Sequence, residues 1–212
     1  RLRMTDGYPT NLWTATRTVK DTQALYTDWA ASYDADVIGA GYATPARIAK
    51  ILSDLLGAEG MSNPLLDFGC GTGLSGVALR AAGFKTVDGC EINPDMIAQL
   101  KARPEVRAAY REIWQADPES FAPGPGAYDV IACVGVISAG AAPAETLDFV
   151  LDQLHVGGII AFSYNDATRE DPAYLAALNR ALDGRAEQVV KNYGPHLPSK
   201  NMGSDIYVLR RL

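Results

Sequence analysis

The chain has 212 residues, 48% of them hydrophobic and 21% charged, and a formal net charge of −6. That is the profile of one ordinary globular domain with room for a sizeable core. An acidic chain whose longest basic run is Arg210-Arg211 is a poor binder of nucleic acid or of an anionic membrane. No apolar span approaches transmembrane length and no signal-peptide core is present, so a soluble, cytoplasmic protein is expected. The cysteines (Cys70, Cys90, Cys133) and the histidines (His155, His196) follow no zinc spacing. Reduced thiols and no metal are expected.

In chain order, residues 1–20 are polar and aperiodic and read as an arm, with residues 1–3, ahead of Met4, set aside. Asp21–Tyr33 reads as a helix with Leu25, Trp29 and Ala30 on one face, capped by Asp21 or Thr22. Residues 34–43, around Gly39-Ala40-Gly41, read as a loop. Thr44 caps Pro45 at the start of a helix that runs to Leu56 and stops at Gly57. Leu65–Phe68 is then a short buried strand, Leu74–Ala82 a helix ended by Gly83, and Phe84–Cys90 a strand. Asn93 caps Pro94 in a helix through Lys101. Val106–Trp114 holds a weaker strand and Tyr128–Val134 a clear one. Pro143–Leu154 is a helix, Gly157-Gly158 a turn and Ile159–Tyr164 a strand. Asp171-Pro172 opens a helix to Leu182, and Ala186–Tyr193 and Asp205–Arg210 are the last strands.

Strands alternating with short helices imply right-handed crossovers and a mostly parallel sheet. The last two strands have no helix between them, so they pair as an antiparallel hairpin at one edge. The expected fold is α/β: a single-domain, Rossmann-like doubly wound sheet with that edge hairpin and an N-terminal helical cap.

The stretch Leu65-Leu66-Asp67-Phe68-Gly69-Cys70-Gly71-Thr72-Gly73-Leu74-Ser75-Gly76 places a glycine-rich turn between the first strand of this pattern and a helix. In such sheets, ligands bind at the carboxyl ends of the strands, near the switch point. Gly71 to Gly76 fits the dinucleotide pattern G-x-G-x-x-G, which alone is weak evidence. Asp67 tips the balance: a carboxylate there repels a pyrophosphate but attracts an ammonium group. S-adenosylmethionine carries an ammonium, a sulfonium and no phosphate, and the helix N-terminus can take its carboxylate. Glu91 ends the second strand, where an acidic side chain accepts hydrogen bonds from ribose hydroxyls. That feature serves any such nucleoside, NAD included.

Taken with VDGCEINPDMI (87–97) and AYDVIACVGVI (127–137), this stretch resembles the first, second and fourth motifs of class I S-adenosylmethionine-dependent methyltransferases. Residues 26–34 (YTDWAASYD) resemble the N-terminal signature of the small-molecule branch that includes ubiquinone-pathway-like enzymes. The run from Val87 to Asp117, with HVGGIIAFSYND (155–166), is similar to the methyltransferase group named for the Williams–Beuren syndrome region. The resemblance implies an arm and cap over residues 1–43 and a methyltransferase domain over 44–212. It implies a cofactor loop of Asp67, Gly69, Gly71 and Gly73, with Glu91 on the ribose, and Ile92 and Met96 against the adenine. Asp117 would receive the adenine amino group, although Pro118 after it has no N–H to offer the ring. Cys133 and Val134 would lie beside the methionine portion, and Tyr26, Trp29 and Tyr33 would close over the cofactor.

Methyl transfer is an in-line displacement at an already activated methyl group, so the protein supplies mainly proximity and orientation. An acceptor pocket is expected from residues 1–43, Gly135–Pro143, Tyr164–Asp171 and Gly194–Gly203. Its candidate residues are Ser138, Tyr164, Asn165 and His196, each of which could equally be a solvated loop residue. No insertion is large enough for a separate protein- or RNA-recognition element, which with the acidic charge favours a small-molecule acceptor. The competing readings are an NAD-dependent oxidoreductase and a non-catalytic cofactor-binding protein. No tyrosine is followed four residues later by lysine, as one common dehydrogenase pattern requires.

Overall fold

The computed structural model describes residues 4–5, 8–9, 18–117 and 123–212. Strands β1 (Met4–Thr5) and β2 (Tyr8–Pro9) form a small antiparallel ribbon within the expected arm. Helix α1 (Val19–Trp29) starts earlier than the sequence suggested. Thr18 is its cap: the Asp21 N–H donates to the Thr18 hydroxyl, and the Thr18 N–H donates to the Asp21 carboxylate, each at 3.1 Å.

The expected loop at 34–43 is instead largely helix α2 (Tyr33–Gly39). Asp34 and Asp36 lie in its first turn, where carboxylates favour a helix N-terminus, and Val37 is buried beneath it. Helix α3 (Thr44–Gly60) runs past the predicted stop, but Gly57 inside it has φ 62 and ψ −173, so the regular helix does break there.

The main sheet is built from β3 (Leu65–Phe68), β4 (Val87–Glu91), β5 (Ile113–Gln115), β6 (Val130–Cys133), β7 (Ile159–Asn165), β8 (Ala186–Leu197) and β9 (Met202–Arg211). Its helices are α4 (Leu74–Ala81), α5 (Pro94–Lys101), α6 (Pro104–Arg107), α7 (Thr146–Gln153) and α8 (Pro172–Leu182). Asn93 and Asp171 cap α5 and α8 through their side chains, each followed by proline at the first helical position. The weak strand expected over 106–114 is corrected: Pro104 opens the short α6, and only Ile113–Gln115 pairs with β4.

The strand order is β5-β4-β3-β6-β7-β9-β8. The first five are parallel, and β9 runs antiparallel between β7 and β8, the predicted edge hairpin. Alternation along the strands sends Leu66, Ile131 and Ile160 into a core shared with α7 and α8, and Leu65, Ala132 and Ala161 into one shared with α3 and α4. A third cluster of Leu25, Trp29, Val37, Ala40 and Leu197 seats the cap helices on the hairpin. The chain reverses its order between β3 and β6, and a crevice opens at the carboxyl ends of those strands. Among the described residues no helix is long and apolar enough to cross a membrane.

Candidate functional site

The crevice is a cavity of about 450 Å³ floored by the ends of β3, β4 and β6 and roofed by α1 and α2. The loop after β3 shapes its floor. Gly69 has φ 71, and a Cβ there would lie 2.6 Å from Val136 Cγ2. Gly73 has φ 95, and a Cβ there would lie 2.5 Å from Val106 Cγ1. Both positions therefore demand glycine for conformation and for space.

The loop is held from within. The Gly69 and Cys70 N–H groups donate to Cys90 O at 2.8 and 2.9 Å, and the Gly73 N–H donates to Cys70 O at 2.9 Å. The Gly71 N–H donates to Glu91 Oε2 at 2.9 Å. A pyrophosphate-binding loop aims such groups at its ligand. Here these four are spent on the end of β4, on Glu91 and within the loop itself.

Glu91 is only 9% exposed yet lines the cavity. Its Oε1 accepts from the Asn93 N–H at 2.8 Å. Burial raises its pKa, opposed by the backbone N–H groups of Asn93, Gly71 and Ile92. The carboxylate keeps lone-pair capacity for a ligand hydroxyl. Asn93 Nδ2 in turn donates to Gln23 O at 3.0 Å and Thr27 Oγ1 at 3.1 Å, which ties the cap helix α1 to the end of β4.

Of the other expected cofactor residues, Gly69, Gly71, Ile92, Met96, Asp117, Val134, Tyr26 and Tyr33 line this cavity. Pro118 lies outside the described residues. Gly73 stands behind the loop against Val106 and Leu100. Trp29 packs edge-on against Tyr33 at 4.8 Å and donates from Nε1 to Asp36 Oδ2 at 2.7 Å; it faces a second, smaller cavity.

Two placements need correction. Cys133 is fully buried in the sheet core and does not line the cavity, because strand alternation turns it towards α7. Asp67 is also fully buried and lies behind the glycine loop, off the cavity wall. Its Oδ2 accepts from Ser75 Oγ at 2.6 Å and Tyr110 Oη at 2.7 Å. Burial pushes its pKa up to about 6, with the two hydroxyls opposing and Glu91 adding to the rise. Tyr110 Oη also accepts from the Gly76 N–H at 3.0 Å, so that first-turn donor of α4 is already engaged.

Ser138, Asn165 and His196, the expected acceptor-side residues, meet in the second cavity, whereas Tyr164 does not. Tyr164 is fully buried among Phe162, Tyr174 and Tyr207, and burial pushes its phenol above its usual range. It is a core aromatic.

Some site residues escaped the sequence reading. Phe68, Trp114 and Phe149 give the cavity an aromatic wall, and Glu145 adds a carboxylate from the approach to α7. Arg103 pairs with Asp34 of α2 and donates to Thr72 O, while the Thr72 hydroxyl donates to Asp34, so the cap is latched to the glycine loop. A charged residue at a helix start and another beyond a helix end carry no pattern that would pair them from sequence.

The electrostatics of the cavity have one sign. Among the described residues its wall holds the carboxylates Glu91, Asp117 and Glu145 and no lysine, arginine or histidine. Such a cavity favours a cationic nucleoside and opposes a pyrophosphate.

Comparison with known proteins agrees with that chemistry. A human protein, methyltransferase-like protein 27 (Homo sapiens), is 31% identical over 167 residues, which is 77% of this chain and 65% of its own length. This chain therefore spans less than two thirds of that relative. Among solved structures, geranyl diphosphate methyltransferase in complex with GPP and sinefungin has a TM-score of 0.59 at 15% identity, covering 77% of each chain. Ribosomal protein L11 methylase from Lactobacillus delbrueckii subsp. bulgaricus has a TM-score of 0.56 at 14% identity, covering 79% of this chain and 76% of its own. At those identities the two structures share the fold, while their names point to unlike acceptors. The family described as a methyltransferase domain matches residues 41–199, well over half of the chain, and this protein belongs to it.

Proposed function

We propose that the protein transfers the methyl group of S-adenosylmethionine to a small-molecule acceptor. The observation that carries the reading is the cavity wall: Glu91 stands at the end of β4, beside a glycine loop whose Gly69, Cys70, Gly71 and Gly73 N–H groups are internally bonded, and among the described residues no basic side chain faces the space. The fit to this cofactor is chemical. Glu91 has lone pairs for ribose hydroxyls, Ile92, Met96 and Trp114 offer apolar surface for adenine, and Asp117 and Glu145 suit positive charge. When bound, the cofactor supplies an activated methyl group with a good leaving group. The chain's own residues bind, orient and exclude water, with Tyr26 and Tyr33 supplying the roof.

The same wall disfavours the oxidoreductase reading, because a dinucleotide pyrophosphate would meet carboxylates and, among the described residues, no cation. The finer placing, in the group named for the Williams–Beuren region with ubiquinone-pathway-like relatives, rests on residues 26–34 and 87–117. A small acceptor is supported by the net charge of −6 and by a site roofed by two short helices. Turnover is the test. Incubation with S-adenosylmethionine and pooled small carboxylic acids, phenols and amines should release S-adenosylhomocysteine above background. Methylation of basic proteins with none of small molecules would overturn the acceptor class, and no turnover despite tight cofactor binding would favour a non-catalytic role.

A further inference from the structure

The second cavity, about 40 Å³, adjoins the main one and shares Tyr26, Tyr33 and Gly135 with it. At roughly 10–15 Å³ for one water it holds about three, which is the size of a carboxylate group. Its polar walls include Ser163, Asn165 and His196, each more than nine-tenths buried.

Their hydrogen-bonding states follow from their neighbours. Asn165 Oδ1 accepts from the Thr168 N–H at 3.0 Å and the Thr168 hydroxyl at 2.8 Å. A backbone N–H can only donate, so the amide orientation is fixed and Nδ2 keeps both protons for another partner. Ser163 Oγ accepts from the Gly135 N–H at 3.3 Å, which leaves its own proton to donate.

His196 is set by a relay. Arg47 Nη1 donates to Ser204 Oγ at 3.0 Å, Ser204 Oγ lies 3.4 Å from Thr44 Oγ1, and Thr44 Oγ1 lies 2.7 Å from His196 Nδ1. Arginine has no acceptor, so Ser204 Oγ accepts from Arg47 and its own proton is available to Thr44. With Thr44 donating in turn to Nδ1, the imidazole proton would sit on Nε2, which the nuclear magnetic resonance test below reads directly. Burial and the nearby Arg47 lower the pKa of this ring to about 4, so it stays neutral in that tautomer.

Three buried donors thus line a space into which, among the described residues, no carboxylate projects. We propose that the second cavity binds a carboxylate or carbonyl oxygen of the methyl acceptor, with Asn165, Ser163 and His196 as its positioning residues. This rests on the methyl-transfer reading. The same chemistry would suit the carboxylate of the cofactor itself. However, Ser163 and Asn165 lie on β7, two strands from β3 and so about 10 Å across the sheet from the glycine loop.

The test uses acetate as the probe and nuclear magnetic resonance of the His196 imidazole and the Asn165 side-chain amide, with and without saturating S-adenosylhomocysteine and at matched ionic strength. Asn165→Asp keeps both bonds to Thr168 and replaces the free donor with a negative charge. Ser163→Ala removes a single hydroxyl. The wild type should show an Nε2–H imidazole and saturable acetate shifts, weakened at least tenfold in both variants, with S-adenosylhomocysteine affinity unchanged within twofold. Absent acetate shifts, or equal binding in the variants, would overturn the proposal. Competition between acetate and S-adenosylhomocysteine, or lost S-adenosylhomocysteine affinity in the variants, would assign the donors to the cofactor instead. If S-adenosylhomocysteine does not bind the wild type while the acetate shifts persist, the methyl-transfer reading fails and the oxygen-binding site stands.

Discussion

Replacing Asp67 with asparagine separates the structural from the ligand-binding account of this carboxylate. Its folded pKa is raised from the ordinary 3.8 to about 6, chiefly by burial. A carboxyl group raised in this way favours the folded state fully at low pH, and that contribution disappears as pH climbs through the folded value. The gap corresponds to about 3 kcal/mol, lost between about pH 3 and pH 7. Asparagine of the same shape can still accept from Ser75 and Tyr110 but does not titrate. Any fixed cost of its extra amide protons, against the unpartnered buried Oδ1 of the wild type, is independent of pH. The stability of Asp67→Asn relative to wild type should therefore improve by about 2 kcal/mol from pH 4 to pH 7.5. Urea unfolding of the ligand-free proteins at several pH values measures this, because titrating groups not coupled to Asp67 cancel in the difference. A difference flat with pH would refute the buried placement behind the loop.

A Cβ at Gly76 would lie 2.1 Å from Tyr110 Cζ, so Gly76→Ala should cost about 1–3 kcal/mol by overpacking, read as a lower urea midpoint. Arg103→Ala cuts a partly buried latch, so global stability should fall by about 1 kcal/mol, while amide exchange in α2 and release of bound cofactor both become faster. With only two histidines in the chain, proton resonance can follow each. His155, paired with Asp129, should titrate above the usual 6.5, and His196 should stay neutral until about pH 4. The depressed His196 pKa contributes stability above about pH 6.5 that is lost as pH falls towards 4, and His196→Gln should remove that loss.

Most of the fold can be read from local signals. Asn93-Pro94 and Asp171-Pro172 marked helix starts through capping chemistry, and Gly83 marked a helix end where φ is 109. The short apolar runs at 65–68 and 130–133 gave buried parallel strands. The errors arose where tertiary contacts outweigh local pattern. Helix α2 looked like a loop because Gly39 to Gly41 dominates its end, whereas Val37 packing and the Asp34–Arg103 pair form only in the fold. The site showed the same division. Glu91, Ile92 and Met96 follow from position after a strand, but the direction of Asp67 depends on Ser75 and Tyr110, the latter distant in sequence. Cys133 and Tyr164 end up in the core through strand alternation, which a strand-end residue does not reveal in sequence.

The most direct measurement is calorimetric titration of the wild type and Glu91→Gln with S-adenosylmethionine, S-adenosylhomocysteine and NADH. The account predicts micromolar binding of the first two and none of the third. Affinity should weaken about 10- to 100-fold in the variant, the loss expected when charge-assisted hydrogen bonds to ribose hydroxyls are removed. Binding of NADH, or undiminished affinity in Glu91→Gln, would contradict it.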